Sequence, residues 1–446
     1  MSRKDSALKY FEKYKEYTDK RVESGIELYR KGTAEITVKY ADGSEVSNLV
    51  IKAKQKNHEF KYGANVFMLG ELHDETKESA YRDSFAKTFN IATLPFYWNS
   101  VEPEEGKHRY STDSPEIYRR PPIDLCMEYC KERGIEPKAH CLNYDWFTPD
   151  WAIDLPVPEF KKKLEKRFFE LAERYGDKIK SWEVTNETFS VEGRKTSKFF
   201  FERDFVEWSY DMAQRYFPNN HLIINDYYFW DRKLYGDRSS YFMQIERLLN
   251  KGKHIDSIGF QMHSFFPLEM EEGYAEERYN PMVWYRILDN YAVFGKKIQI
   301  TETTIPAYSD APEDEEVQAE LIKNLYRVWF SHPSMEAIIY WNLVDGYAFS
   351  RNARGRDSIG DYSGGENQYR GGLLRFDMSE KPALKVIQDL FGKEWRTEVT
   401  VKSDNSEVLF RGFYGDYELE ILADGKTIKK DILLSSNTHN KFEIII

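Results

Sequence analysis

Short apolar runs and amphipathic stretches alternate through the middle of the chain. The runs are "KYGANVFM" (61–68), "FNIATLPFY" (89–97), "EPKAHCLNY" (136–144), "IKSWEVTNE" (179–187), "HLIINDYY" (221–228), "HIDSIGFQMHS" (254–264), "KIQITETTI" (297–305) and "AIIYWNLVD" (337–345). Their β-branched and aromatic content, bounded by polar loops, predicts strands. Stretches such as "PPIDLCMEYCKERG" (121–134), "EFKKKLEKRFFELAERYG" (159–176) and "EEVQAELIKNLYRVWFSH" (315–332) repeat apolar residues at helical spacing. Strand and helix in this order predict parallel βαβ units, and eight in series close a (β/α)8 TIM barrel. The rival, a doubly wound open sheet, usually carries a glycine-rich phosphate turn after its first strand. No G-x-G-x-x-G occurs there.

The flanks follow other patterns. Residues 4–30 read as charged helix, and 34–54 as two strands around the turn "ADGS". After a closing helix at 381–395, the tail alternates apolar and polar positions between turns at "SDN", "YGD" and "ADG". The expected organisation is an N-terminal extension (1–59), a barrel (60–395) and a small antiparallel β-domain (396–446). About fifty residues make a marginal core alone. That tail is expected to pack on the barrel or pair with strands 34–54. The glycine-rich stretch 346–372 is expected to form a loop over the barrel mouth.

Polar residues collect at one end of the predicted strands. His140, Asn186, Glu187, Asp226, Gln261, His263, Glu302, Trp341 and Asp345 all lie in the last half of a strand or just beyond it. In a barrel those ends converge on the face that carries active sites. The pair Glu187 and Glu302 then supplies two facing carboxyl groups, which acetal cleavage at a sugar needs in different protonation states. Glu183 shares strand parity with Glu187 but lies deeper, in the polar layer beneath the site.

Composition narrows the partners. A formal net charge of −11 argues against nucleic acid or an anionic membrane. No apolar run is long enough to span a bilayer, and the N-terminus lacks a signal-type apolar core, so a cytoplasmic location is expected. Three cysteines, Cys126, Cys130 and Cys141, match no zinc spacing and are expected to be reduced and buried. No metal and no cofactor is expected, since no closely spaced His/carboxylate motif occurs. Oligomeric state is left open.

The strand-end motifs, taken in order, resemble glycoside hydrolase family 10, the β-1,4-xylanase family. "WEVTNE" (182–187) is similar to the W-D-V-V-N-E signature around that family's acid/base, and "ITET" (300–303) to its I-T-E-L nucleophile motif. "HCLNYDWFTPDW" (140–151), "NDYY" (225–228), "GFQMH" (259–263) and "WNSVEPEEGKHRY" (98–110) resemble further family motifs, so the likeness runs over about residues 60–395. The resemblance implies a retaining hydrolase of xylan-derived oligosaccharides, with Glu187 as acid/base and Glu302 as nucleophile. It implies that Asn186 meets the sugar 2-hydroxyl and that His263 bonds Glu302. His140 would then meet a glycone hydroxyl, Gln261 lie beside the acid/base, and Trp341 wall the glycone site. Trp98, Tyr144, Asp145, Tyr227 and Phe349 occupy further motif positions and are candidate binding or supporting residues.

Departures from the family cluster on one side. "TLPFYW" (93–98) stands where members carry E-N-x-M-K-W, so Thr93, Leu94 and Tyr97 replace Glu, Asn and Lys. Tyr144, Asp145 and Phe147 replace a Trp, a His and a Gln, Phe349 replaces a Trp, and Thr304 stands where an Asp supports the histidine beside the nucleophile. Two alternatives follow: an intracellular β-xylosidase or β-glucosidase type acting on small or aryl glycosides, and a non-catalytic carbohydrate-binding protein.

Overall fold

The computed structural model describes residues 2–190, 195–227, 236–350 and 352–446. Two helices open the chain, Arg3–Lys13 and Lys15–Tyr29. The first buries Ala7, Leu8 and Phe11 against the main core. Its Arg3 is tied to Glu271 at 2.9 Å and Asp314 at 3.0 Å. Strands β1 (Lys31–Lys39) and β2 (Leu49–His58) follow.

Eight parallel strands then close a barrel: β3 (Lys61–Asn65), β4 (Ile91–Pro95), β5 (Glu136–His140), β6 (Ser181–Asn186), β7 (His221–Asp226), β8 (Ser257–His263), β9 (Lys297–Thr304) and β10 (Met335–Tyr340). Neighbours in sequence are neighbours in space, and β10 pairs back onto β3 through Ala337↔Lys61 to Tyr340↔Ala64. The intervening helices present apolar stripes to the strands. Helix Val157–Tyr175 buries Phe160, Leu164, Phe168, Leu171 and Tyr175, a spacing of three and four that keeps one face inward.

The strands stop earlier than the apolar pattern suggests. β3 ends at Asn65 rather than 68, β5 at His140 rather than 144, and β10 at Tyr340 rather than 345. Beyond those points the apolar residues turn over the barrel mouth and pack on each other: Phe67, Tyr97 and Trp341 form a separate cluster with Tyr144 and Phe147. Hydrophobicity there signals a lined cleft rather than more strand.

The last five strands, β11 (Glu398–Ser403), β12 (Glu407–Phe413), β13 (Gly415–Ala423), β14 (Lys426–Leu434) and β15 (Lys441–Ile445), do not stand alone. β1 lies between β12 and β15, and β2 between β11 and β13. These pairings are antiparallel except for β1 with β15, which is parallel. Alternating residues of both sheets, among them Ala34, Ile36, Val38, Leu49, Ile51, Leu419 and Ile421, fill a second core. N- and C-terminal strands thus complete each other, which resolves how so short a tail buries enough surface.

After β10 the chain forms an ordered cover. It carries short turns at Gly355–Ser358 and Asn367–Tyr369, and beyond them Asp345 Oδ1 accepts the Gly372 N–H at 2.7 Å. The fully buried Lys381 ammonium pairs with Asp345 and donates to the Arg370 carbonyl at 2.9 Å. Among the described residues, no helix is long and apolar enough to cross a membrane.

Candidate active site

Glu302 lies near the end of β9, is buried, and is held by three nitrogen donors. Asn225 Nδ2 and Gln261 Nε2 each reach Oε1 at 3.1 Å, and His263 Nε2 reaches Oε2 at 3.1 Å. Local topology explains the grip. β7, β8 and β9 are adjacent, and a register shift between Phe260 and Gln261 sets Gln261 opposite Glu302. Gly259 makes room below: a Cβ there would lie 2.6 Å from Asn225 Oδ1 and 2.7 Å from Thr301 Cγ2. Burial pushes the Glu302 carboxyl up, to about 8; His140 and Lys138 oppose this and the charges of Glu183 and Glu187 add to it.

Glu187 follows directly on β6, half-buried, with its backbone in the left-handed region at φ 49°. This sharp exit turns the side chain out of the strand. Its N–H donates to the Asn225 carbonyl at 3.2 Å, and the next residue is fixed by Asp226 Oδ2, which accepts the Thr188 N–H at 2.8 Å. The Tyr144 hydroxyl donates to Glu187 Oε2 at 2.7 Å. The two carboxyl groups are therefore held unlike each other, one by three N–H groups in a buried layer and one by a phenol at the rim.

Asn186 accepts from Asn225 Nδ2 at 2.7 Å and Gln261 Nε2 at 2.9 Å through its Oδ1. The Gln261 amide bridges Asn186 and Glu302, as its register opposite Glu302 requires. His263 bonds Thr304 Oγ1 through Nδ1 at 3.1 Å, and burial lowers its imidazole to about 4, so it is neutral at pH 7. Thr304, the partner at Nδ1, is neutral and adds no charge to offset burial; Glu366 and Glu187 favour the imidazolium but do not outweigh it.

Beneath the site, Glu183 is fully buried between the Lys138 ammonium and His140 Nδ1, with Asn225 Nδ2 at 3.3 Å. Burial alone would raise its pKa, but Lys138 and His140 outweigh that and hold the carboxylate at about 2. Strict alternation would put Glu183 and Asn186 on opposite faces. A register shift between Glu183 and Thr185 breaks the alternation, so both reach Asn225. His140, Glu183 and Glu302 offer ligand atoms within 4.8 Å of one another, a conceivable cation group. The fixed Lys138 ammonium already supplies a positive charge on Glu183 there, which disfavours a metal ion.

His140 also faces the Tyr97 ring at 5.1 Å and the Trp341 ring at 5.4 Å, and Trp341 meets Phe67 at 5.2 Å. Four other candidates lie further out or elsewhere. Asp145 is buried and its carbonyl accepts from Thr196 Oγ1 at 3.4 Å, while Phe349 is half exposed and its carbonyl accepts the Glu366 N–H at 2.7 Å. Tyr227 is exposed, with its N–H on Asp226 Oδ1 at 2.8 Å, and the following "YFWDRKLY" lies outside the described residues. Trp98 opens the short helical turn Trp98–Val101, is buried against Trp151 and Phe160, and donates to Glu102 at 2.9 Å.

Sequence reading passed over Lys138 and Asn225. Lys138 lies two residues before His140, so parity on β5 would have found it. Asn225 immediately precedes Asp226; Asn225 donates to Glu302 while Asp226 fixes Thr188.

Fold and site together define a (β/α)8 barrel with two unlike carboxyl groups, three amide and imidazole donors, and an aromatic wall at its C-terminal mouth. The model of glycosyl hydrolase family 10 matches residues 53–389, and the chain belongs to that family. It is 24% identical over 405 residues to the anti-sigma-I factor RsgI6 of Acetivibrio thermocellus, covering 89% of this chain and 46% of that protein. It is 23% identical over 403 residues to endo-1,4-beta-xylanase 1 of Arabidopsis thaliana, covering 87% of this chain and 36% of that one. The chain thus spans less than half the length of these two relatives. The fold matches xylanase 10B from Thermotoga petrophila RKU-1, solved in complex with xylobiose, with a TM-score of 0.58 at 22% identity, over 75% of this chain and 95% of that one.

Proposed function

We propose that the protein is a retaining glycoside hydrolase that cleaves β-glycosidic bonds in xylan-derived oligosaccharides. The observation that carries this reading is the pair of unlike carboxyl groups at one barrel mouth, Glu302 gripped by three N–H donors and Glu187 held by the Tyr144 hydroxyl. Family membership supports it, as do the relatives named as xylanases.

In the first step the Glu302 carboxylate attacks the anomeric carbon while Glu187 gives its proton to the departing glycosidic oxygen. The product is a glycosyl ester on Glu302 and a free aglycone hydroxyl. In the second step Glu187, now a carboxylate, takes a proton from water, whose oxygen attacks the anomeric carbon and releases Glu302. Asn225, Gln261 and neutral His263 orient Glu302 for attack; their N–H groups favour its ionised form against the effect of burial. Asn186 has both its Oδ1 bonds inside the protein, so its Nδ2 is the end offered to the sugar 2-hydroxyl. His140 spends Nδ1 on Glu183 and offers Nε2 to the glycone. Retention calls for carboxyl groups about 5–5.5 Å apart when substrate is bound. The proposed location is cytoplasmic, supported by three unpaired, buried cysteines.

The test is hydrolysis of xylo-oligosaccharides, aryl β-xyloside and aryl β-glucoside by wild type and Glu302→Ala. Wild type should cleave at least the xylo-oligosaccharides and the variant should lose activity by several orders of magnitude. Cleavage of aryl glycosides alone would favour the small-glycoside reading. Sugar binding without turnover would favour a binding protein.

A further inference from the structure

One side of the cleft carries positive charge that the hydrolytic reaction does not use. Arg120 lies over the Tyr97 ring at 4.2 Å and within 5.2 Å of Phe67 and 5.1 Å of Phe147. Tyr97 in turn faces His140, whose Nδ1 is 3.9 Å from Glu302. Arg120 is thus one aromatic ring removed from the layer that holds the nucleophile.

No carboxylate pairs directly with the Arg120 guanidinium; Glu71 and Glu366 act on it from further off. No carboxylate oxygen among the described residues comes within 4.0 Å of the Arg119 or Arg120 guanidinium, so neither is in an ion pair there. Glu71 accepts the backbone N–H groups of both arginines rather than their side chains, and burial pushes it up to about 8. Glu366 is committed to Asn342 Nδ2 at 2.7 Å. Arg119 spends its guanidinium on the Tyr347 carbonyl and on Asn342 Oδ1 at 3.3 Å. Arg120 makes one side-chain bond, from Nη1 to the Arg119 carbonyl at 2.7 Å, and it is half-buried, with desolvation lowering its guanidinium to about 10. In a chain of net charge −11, two adjacent arginines beside the cleft, one of them with a single side-chain bond, place positive charge where the general field is negative.

A guanidinium clamped by rings presents a rigid planar fork, and its partner in kind is a carboxylate. Resting on the hydrolase reading above, we propose that Arg120 recognises the carboxylate of a uronic-acid unit on the glycone portion of the substrate, with Tyr97 and Phe67 holding the guanidinium in plane.

The test compares neutral xylotriose, the same trisaccharide bearing a glucuronosyl substituent, and a sulfate-ester analogue, each with wild type, Arg120→Gln and Arg120→Lys. Wild type should show kcat/KM at least tenfold higher on the glucuronosyl substrate than on the neutral one, by way of a lower KM. That ratio should fall at least tenfold in Arg120→Gln, fall less in Arg120→Lys, and shrink in wild type as salt rises. Equal wild-type kcat/KM on neutral and glucuronosyl substrates overturns the proposal. So does a ratio that survives Arg120→Gln, or a preference for the sulfate ester over the carboxylate. If wild type cleaves none of the three, the hydrolase reading fails separately. Calorimetric binding of the glucuronosyl trisaccharide then decides: tenfold tighter binding than xylotriose, lost in Arg120→Gln, upholds the recognition site, and equal binding overturns it.

Discussion

Substituting Lys138 by Met tests the buried layer on which the site rests. Lys138 and Glu183 are both fully buried, and Lys138 and His140 hold Glu183 from an ordinary 4.5 down to about 2. Moving a carboxylate that far is worth about 3 kcal/mol in the folded state. Removing the ammonium leaves Glu183 as an incompletely paired buried charge, for which about 3–5 kcal/mol of destabilisation is the usual cost. Urea denaturation at pH 7, read by tryptophan fluorescence, should therefore show Lys138→Met less stable than wild type by about that amount. The double variant Lys138→Met/Glu183→Gln removes both charges together and should be more stable than Lys138→Met alone. The pH dependence has a defined sign. A carboxylate with a depressed folded pKa contributes stability that is present above its unfolded value near 4.5 and lost as pH falls through about 2. Wild type should lose about 3 kcal/mol across that window from this group, a loss that Glu183→Gln lacks. A Lys138→Met cost below about 1 kcal/mol, or simple addition of the two single effects in the double variant, would refute the reasoning.

Three further outcomes are expected. Tyr144→Phe removes the 2.7 Å bond to Glu187 and should lower kcat/KM by roughly 5- to 30-fold, the equivalent of about 1–2 kcal/mol, in steady-state assays of xylo-oligosaccharides. Thr304→Asp puts a carboxylate at His263 Nδ1 and should raise the imidazole well above its present value of about 4, followed by NMR titration; an unmoved titration would count against the role given to Thr304. Glu302 is raised to about 8 and must lose its proton to attack, so kcat/KM should fall as pH drops below that value, and an acid limb at an ordinary carboxylate pKa near 4–5 would contradict the desolvation argument.

The barrel was legible because eight buried strands leave a strong, repeated signal and parallel connection requires intervening helices. Glu187 and Glu302 were legible because a carboxylate at the end of an apolar run is anomalous. Strand ends were harder. Phe67, Tyr97 and Trp341 look like more strand in a hydrophobicity pattern, yet they line the mouth. The polar layer beneath the site was legible at Glu183, but its shared contact with Asn186 on Asn225 was not, because the register shift in β6 breaks the alternation on which a parity argument depends. Arg120 escaped for a different reason. It belongs to a polar loop, and only the fold brings that loop over Tyr97. The sandwich of terminal strands was half visible: the alternation was plain, while its pairing spans some 400 positions, as in Glu35↔Lys441, and no local pattern encodes that.

The central claim is that Glu302 forms a covalent bond to the sugar. Incubation with an activated 2-deoxy-2-fluoro-β-xylobioside, followed by intact-mass and peptide mass spectrometry, tests it most directly. One fluoroglycosyl unit per chain is expected on the peptide containing Glu302, with no adduct in Glu302→Ala. An adduct on another residue, or full turnover of natural substrate by Glu302→Ala, would contradict it.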